Sequence, residues 1–193
     1  MGHQTSETIT IRRSIALFAL FLSWAAAAPA QKLSDEEMKQ GFVSLSDLKK
    51  WTGDDKWRMD GDGFTVGITT IETVKKDYKD YIFRLEWKCL KDAKAGVGLR
   101  GAKAEKLVVN IGDYADNGSG GVGTGKPTKK LDKPVGEWNN LEVRVTANKA
   151  TVSLNGETVA KDVALAGAPA SSSVALIPKG PMFFRNLRIK EVK

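Results

Sequence analysis

The chain has 193 residues, a formal net charge of +7 and an apolar share of 41 %, which suits one domain with a sizeable core. Its single histidine is His3 and its single cysteine is Cys89. His3 falls in the N-terminal segment described next, so the remainder has no histidine base, no metal site built on histidine and no internal disulfide. We therefore expect no cofactor and no bound metal.

The first 30 residues predict a secretory signal peptide. Arg12 and Arg13 precede an apolar run over residues 15–28, and Ala28-Pro29-Ala30 fits the small-x-small pattern before a cleavage point. A membrane anchor is the alternative, but the apolar run is shorter than the roughly 20 residues that a spanning helix needs. We expect an exported protein, periplasmic or secreted, with no membrane attachment after cleavage.

The basic residues are scattered along predicted strands and turns. The sequence shows no basic stripe interleaved with aromatic residues of the kind that nucleic-acid grooves require. We therefore expect solvated charged faces and no nucleic-acid partner.

Residues 31–40 predict a short linker with one helix. Ser34 and Glu37 have the spacing of a capping box, in which a hydroxyl and a carboxylate satisfy the first backbone amides. The helix would run for one or two turns before Gly41. Residues 42–45 are apolar enough for a first strand.

Residues 57–66 predict a strand, a tight turn and a second strand. Gly61 and Gly63 supply the permissive backbone of the turn. The alternative is a fragment of a calcium loop starting at Asp60, but Ile71 stands where such a loop carries its bidentate glutamate. The pattern favours the plain turn.

The longest strand pattern covers residues 80–90, where apolar and charged residues alternate. It places Cys89 on the same face as Phe83, Leu85 and Trp87, so we expect a buried thiol. Shorter strands are predicted over residues 97–100 and 107–111.

Residues 112–126 contain six glycines, which predicts a long loop of the kind that often carries function. The loop matches G-x-G-x-x-G from Gly118 and the start of a phosphate loop from Gly120. Both motifs need a helix N-terminus after a strand, and Pro127 stands where the phosphate loop has its hydroxyl. We expect no nucleotide partner.

The clearest hairpin lies between residues 141 and 160. Alternating residues 141–146 and the short run 151–154 lead into Asn155-Gly156, the strongest two-residue turn signal. We expect Trp138 in the core, and Asn139 and Asn155 bound to turn backbone. Strands are also predicted over residues 174–177 and 182–192.

Together these patterns predict an all-β sandwich or barrel over residues 41–193, without a helix after residue 41. Glycoside hydrolysis needs two facing carboxylates, and five residues are candidates: Glu86, Glu105, Asp113, Asp116 and Glu142. Glu86 and Glu142 alternate with core residues and are expected to point outward, whereas Asp113 stands where a strand enters the glycine-rich loop.

An ordered set of motifs carries a family resemblance: 40–45 (QGFVSL), 80–87 (DYIFRLEW), 96–100 (GVGLR), 136–139 (GEWN), 154–156 (LNG) and 184–190 (FRNLRIK). The chain resembles the 3-keto-disaccharide hydrolase domain. That resemblance implies a concanavalin A-like jelly roll of two antiparallel sheets whose concave face binds a sugar. It also implies hydrolysis, or elimination and hydration, of 3-keto-glycosides.

The resemblance implies four site residues. Asp113 would be the base and Arg100 an oxyanion or hydroxyl clamp, Asn110 would bind substrate, and Lys179 would replace the family histidine as acid/base or carbonyl polariser. The family's glutamate is Val108 here, so part of the polar site is missing. Three possibilities stay open: an enzyme, a carbohydrate-binding or surface module without catalysis, and a purely structural domain.

Overall fold

A computed structural model describes residues 32–53, 57–60, 63–65, 69–101, 103–114 and 117–192. The predicted signal peptide, the centre of the turn after Asp60 and the candidate Asp116 lie outside these residues. Within them, no helix is both long enough and apolar enough to span a bilayer.

The described residues form one short helix and thirteen strands. The capping-box prediction is confirmed: Ser34 Oγ accepts the amide of Glu37, whose carboxylate accepts the amide of Ser34. The helix is α1 (Asp35–Lys39), and the strands are β1 (Val43–Ser44), β2 (Trp51–Thr52), β3 (Arg58–Asp60), β4 (Gly63–Thr65), β5 (Ile71–Thr73), β6 (Tyr81–Cys89), β7 (Lys94–Gly98), β8 (Val108–Gly112), β9 (Asn139–Thr146), β10 (Lys149–Leu154), β11 (Glu157–Ala164), β12 (Ala175–Pro178) and β13 (Met182–Glu191).

The strands build two antiparallel sheets, which confirms the predicted fold class. Sheet A has the order β11-β10-β9-β6-β13-β4-β3, with β1 added beside β13, and sheet B has the order β2-β5-β12-β7-β8. Apolar residues of both inner faces form one buried core, among them Phe83, Trp87 and Val109. The buried position of Cys89 is also confirmed, and burial raises the pKa of its thiol to about 11.

The predicted hairpin is confirmed. Asn155 and Gly156 have φ values of 50° and 90° and join β10 to β11, as a turn with two left-handed residues requires. Asn155 Oδ1 accepts the amide of Asn140, and its Nδ2 donates to the Leu131 carbonyl at 2.7 Å. Ala147 and Asn148 join β9 to β10 and also have left-handed backbone conformations. The sequence did not predict this turn, because alanine is not typical of left-handed positions.

The glycine-rich loop packs along β8 instead of extending into solvent. The Asn110 amide donates to the Gly121 carbonyl, and the Gly120 amide donates to the Asn110 carbonyl. Val122 forms a bridge with Val109. A Cβ at Gly120 would lie 2.4 Å from Val159 Cγ2, so this approach requires glycine. The loop therefore covers the β8 edge of sheet B.

The outer face of sheet A carries cations and aromatic rings on adjacent strands. The guanidinium of Arg185 lies 4.1 Å from the ring centre of Trp138, and Lys88 Nζ lies 4.9 Å from it. The prediction that Trp138 belongs to the core is therefore wrong. Trp138 is half-buried. It directly precedes β9, in which Asn139 and every second residue after it point inward, so Trp138 points to the outer face.

The predicted outward position of the β6 and β9 glutamates is confirmed on this face. Glu142 pairs with Arg84 and Glu86 pairs with Arg185, each with an N–O distance of 2.7 Å. Residues that are scattered in the sequence thus form a continuous basic and aromatic face across β6, β9 and β13, with part of its charge neutralised.

Candidate functional site

The outer face of sheet B holds the candidate site. Ala95 and Val97 of β7 and Val109 and Ile111 of β8 point into the core, so the alternate residues point outward. Cross-strand register places Gly96 of β7 between Ile177 of β12 and Asn110 of β8.

An open cleft of about 430 Å³ lies over this row. We call it the Asn110 cleft. Its lining residues come from β7, β8, β12, the 3-10 turn Glu105–Leu107 and the end of the glycine-rich loop: Gly96, Glu105, Lys106, Val108, Asn110, Gly123, Thr124, Ile177 and Lys179.

Gly96 forms the floor of the Asn110 cleft because Val108 lies across it. A Cβ at Gly96 would stand 2.3 Å from Val108 Cγ1, so the Val108 side chain would have to move to admit one. Gly123 has a similar role in the wall, where its φ is +59° and a Cβ would stand 2.9 Å from the Lys106 carbonyl oxygen. Both glycines allow close packing that shapes the cleft.

Asn110 links the cleft to the glycine-rich loop. Its Nδ2 donates to the Gly123 carbonyl at 2.8 Å, which fixes the loop wall. Among the described residues, its Oδ1 has no hydrogen-bond partner and can accept from a ligand. Lys179 follows β12, where its amide donates to the Lys94 carbonyl, and its side chain is exposed. The structure brings these two predicted residues together.

Arg100 lies in a neighbouring depression of about 770 Å³, which we call the Glu72 cleft. The sequence pattern predicted a strand over residues 97–100, but β7 ends at Gly98, and Arg100 follows it in a turn. Its guanidinium donates to the Tyr78 carbonyl at 2.5 Å and lies 5.8 Å from the Tyr81 ring centre. Arg100 is only 5 % exposed, and its contacts with Tyr78 and Tyr81 stabilise this end of the sandwich.

Asp113 lies at the other end of β8, in a third cavity of about 270 Å³. Its Oδ2 accepts the Asp92 amide at 2.8 Å. Asp92 has a φ of 61°, so this hydrogen bond stabilises a left-handed turn after β6. Asp113 does not line the Asn110 cleft, and the four predicted residues occupy three different cavities.

The Asn110 cleft contains three polar residues that lie outside the predicted set of four site residues. Lys106 and Thr124 gave no motif, and Glu105 was one of five carboxylate candidates. Glu105 and Lys106 belong to a 3-10 turn, which the absence of helical periodicity after residue 41 did not predict. Thr124 stands in the loop wall beside Gly123. The position of Thr124 depends on how the glycine-rich loop folds back on β8.

The described residues offer no metal centre, since no three histidine, cysteine, aspartate or glutamate side chains among them lie close enough to share an ion. Tyr114 lines the third cavity, and Lys94 Nζ lies 5.0 Å from its ring centre. Burial raises the pKa of the Tyr114 hydroxyl, so Tyr114 stays a neutral hydrogen-bonding group at neutral pH.

Residues 41–190 match the model of the 3-keto-alpha-glucoside-1,2-lyase-like domain. The chain belongs to this family. The match covers nearly all of the described sandwich, including every residue that lines the Asn110 cleft. The comparison with curated proteins found no match.

Solved structures share the fold. A protein from Parabacteroides distasonis ATCC 8503, provisionally classed as a glycosyl hydrolase, is 20 % identical, with a TM-score of 0.65 over 84 % of this chain and 99 % of that chain. The carbohydrate-binding module CBM66 from Bacillus subtilis is 11 % identical, with a TM-score of 0.55 over 74 % of this chain and 96 % of that one.

A third structure is the exoplasmic/lumenal domain of VIP36 in its Ca²⁺/Man3GlcNAc-bound form. It is 11 % identical, with a TM-score of 0.53 over 80 % of this chain and 90 % of that chain. At these identities the three likenesses establish a shared two-sheet fold.

Proposed function

We propose that this protein binds a carbohydrate in the Asn110 cleft. The main support is that Asn110 and Lys179, which are 69 residues apart in the sequence, line one open cleft on the outer face of sheet B. A volume of about 430 Å³ falls within the usual range of small-ligand sites. Membership of a family described by its action on a glucoside supports a carbohydrate-related function.

The chemistry of the cleft suits a sugar. Sugar hydroxyls both donate and accept hydrogen bonds. The cleft offers an acceptor in Asn110 Oδ1, donors in Lys106 and Lys179, and a hydroxyl in Thr124. Ile177 and Val108 add apolar surface for the C–H faces of a sugar ring.

A glycan-binding screen with gluco-, manno- and galacto-oligosaccharides and their acidic counterparts tests the proposal. Thr124→Ala removes an exposed hydroxyl, and Asn110→Ala removes the free acceptor; each should weaken binding at least about fivefold. Thr158→Ala, an exposed threonine of β11 in sheet A, is the matched control. Thermal melting of Asn110→Ala separates lost binding from lost folding. Absence of any bound glycan would contradict the proposal.

Catalysis on a 3-keto-glycoside is the second candidate, because a carboxylate and an ammonium line the same cleft. A C3 carbonyl acidifies the C2 proton. Glu105 would take that proton, the C1–C2 double bond would form as the C1–O bond breaks, and Lys179 would protonate the departing oxygen. Water would then add across the double bond. Asp113 lies in another cavity, where its contact with Asp92 favours a structural role.

Incubation with 3-keto-trehalose separates the two candidates. An active enzyme would release glucose, and Glu105→Gln would abolish the release while leaving thermal stability unchanged. Measurable binding without any release of glucose would reject catalysis and leave a carbohydrate-binding module.

Export to the periplasm or the medium completes the proposal and is supported by the pattern of residues 1–30. Fractionation of cells that express the full chain, followed by N-terminal sequencing, tests it. A cytoplasmic protein that keeps its N-terminal segment would contradict export.

A further inference from the structure

We propose that the carbohydrate bound in the Asn110 cleft is anionic, carrying a carboxylate or an equivalent acidic group. This inference rests on the proposed function and concerns the class of its ligand. Its starting point is charge: two ammonium groups, those of Lys106 and Lys179, line the cleft together with a single carboxylate, that of Glu105.

The cations of the Asn110 cleft are available to a ligand. Lys106 and Lys179 are exposed, and neither has a carboxylate within ion-pair distance among the described residues. On the outer face of sheet A three arginines are instead paired: Arg188 with Glu37 at 2.6 Å, and Arg84 and Arg185 with glutamates of β9 and β6. An arriving anion therefore meets uncompensated charge at the cleft.

The neighbouring Glu72 cleft continues the positive surface. Three cationic residues line it together with Glu72: Lys76, Arg100 and Lys103. The Glu72 carboxylate accepts a hydrogen bond from Ser173 Oγ at 2.7 Å. Lys76 and Lys103 are exposed and have no ion-pair partner in the described part of the chain. A ligand that extends beyond the Asn110 cleft thus remains in a positive field.

Lys106 stands between the two clefts. It lines the Asn110 cleft, and its Nζ lies 3.0 Å from the position that a Cβ of Gly167 would occupy; Gly167 lines the Glu72 cleft. The backbone of Lys106 is packed against Gly123, so the stem of this side chain starts from a tightly packed turn. An acidic group bridging the clefts would meet this ammonium.

The ligand class follows from these charges. A carboxylate held by two ammonium groups in a cleft makes charge-assisted hydrogen bonds, which are stronger than neutral ones. A neutral sugar at the same place can accept hydrogen bonds from the lysines but brings no opposite charge, so these bonds are weaker. The arrangement therefore favours an acidic sugar over its neutral counterpart.

The test compares tetragalacturonate with its fully methyl-esterified form, which has the same backbone without the charge. Isothermal titration at low ionic strength should show the acid binding at least about tenfold more tightly than the ester. Raising the salt concentration should weaken only the acid, because salt screens exposed charges. A sulfated galactan tetrasaccharide shows whether sulfate replaces carboxylate.

Substitutions locate the effect. Lys106→Gln and Lys179→Gln keep hydrogen-bonding capacity but remove charge, so each should weaken binding of the acid about three- to tenfold and leave ester binding nearly unchanged. Lys161→Gln, an exposed lysine in β11 of sheet A, removes the same charge elsewhere and should have little effect.

The outcomes separate this inference from the proposed function. Equal affinity for acid and ester, or an equal loss in all three lysine variants, would overturn the inference and leave carbohydrate binding in place. Binding of the sulfated probe alone would support an anionic ligand and change the acidic group. A screen in which neither acidic nor neutral sugars bind would reject the proposed function itself.

Discussion

Replacement of Gly96 by alanine perturbs the floor of the Asn110 cleft by one methyl group. The new Cβ would stand 2.3 Å from Val108 Cγ1 and 3.7 Å from Ile177 Cβ. Gly96 does not have a left-handed φ, so the cost comes from this overlap and not from backbone strain. Overpacking of this kind costs about 1–3 kcal/mol of unfolding free energy.

Thermal unfolding measures this cost. For a chain of this size, about 1 kcal/mol corresponds to about 2–4 °C, so the midpoint of Gly96→Ala should fall by about 2–12 °C. Val108→Ala alone removes two methyl groups and should cost about 1–2 kcal/mol. The double variant removes the overlap, so it should be more stable than the sum of the two single changes predicts, by about 1 kcal/mol or more.

Two results would refute the reasoning. One is a Gly96→Ala variant as stable as the wild-type protein, which would mean that Val108 moves aside without cost. The other is strict additivity in the double variant, which would show that the two side chains do not meet. Either would remove the physical reason for glycine in the cleft floor.

Three further predictions concern the scaffold and metal dependence. Asn155→Ala should lower the free energy of unfolding by about 2–3 kcal/mol, because the variant loses the hydrogen bonds to Asn140 and Leu131 and keeps a left-handed backbone. Asn155→Gly should lose less, since glycine accepts that backbone. Denaturant titration measures both variants, and equal losses would contradict the role of the backbone. Burial raises the pKa of the Cys89 thiol to about 11, so this thiol loses its proton at a lower pH in the unfolded chain than in the folded one. The free energy of unfolding should therefore fall as pH rises from about 9 to about 11. Cys89→Ala should make this fall less steep, and an unchanged dependence on pH would contradict the prediction. Glycan binding should be unaffected by a chelator, and a loss that calcium restores would reveal a metal site.

Local patterns in the sequence predicted the scaffold well. The strand alternation around Cys89 and the Asn155-Gly156 turn are set by neighbouring residues, and the structure confirms both. The prediction of a core position for Trp138 is the exception. Its position just before β9 decided otherwise, since alternation from the inward-facing Asn139 points it to the outer face, where Arg185 covers it.

The candidate site depended on contacts that the sequence does not encode locally. β7 ends at Gly98, two residues before the predicted end of this strand at Arg100. Arg100 therefore lies in a turn, where its side chain contacts the Tyr78 carbonyl and lies in a different cavity from Asn110. One wall of the Asn110 cleft comes from the glycine-rich loop, whose path along β8 is fixed by long-range hydrogen bonds. Thr124 enters the site only through that packing, and the backbone of Lys106 packs against Gly123 of the same loop.

The central claim is that a carbohydrate binds in the Asn110 cleft, and chemical-shift mapping tests it most directly. Amide spectra recorded during titration with the tightest-binding oligosaccharide of the screen should shift most at Gly96, Asn110, Thr124 and Lys179. Shifts confined to the outer face of sheet A, around Asn140 and Ser153, where another open depression lies, would contradict the claim.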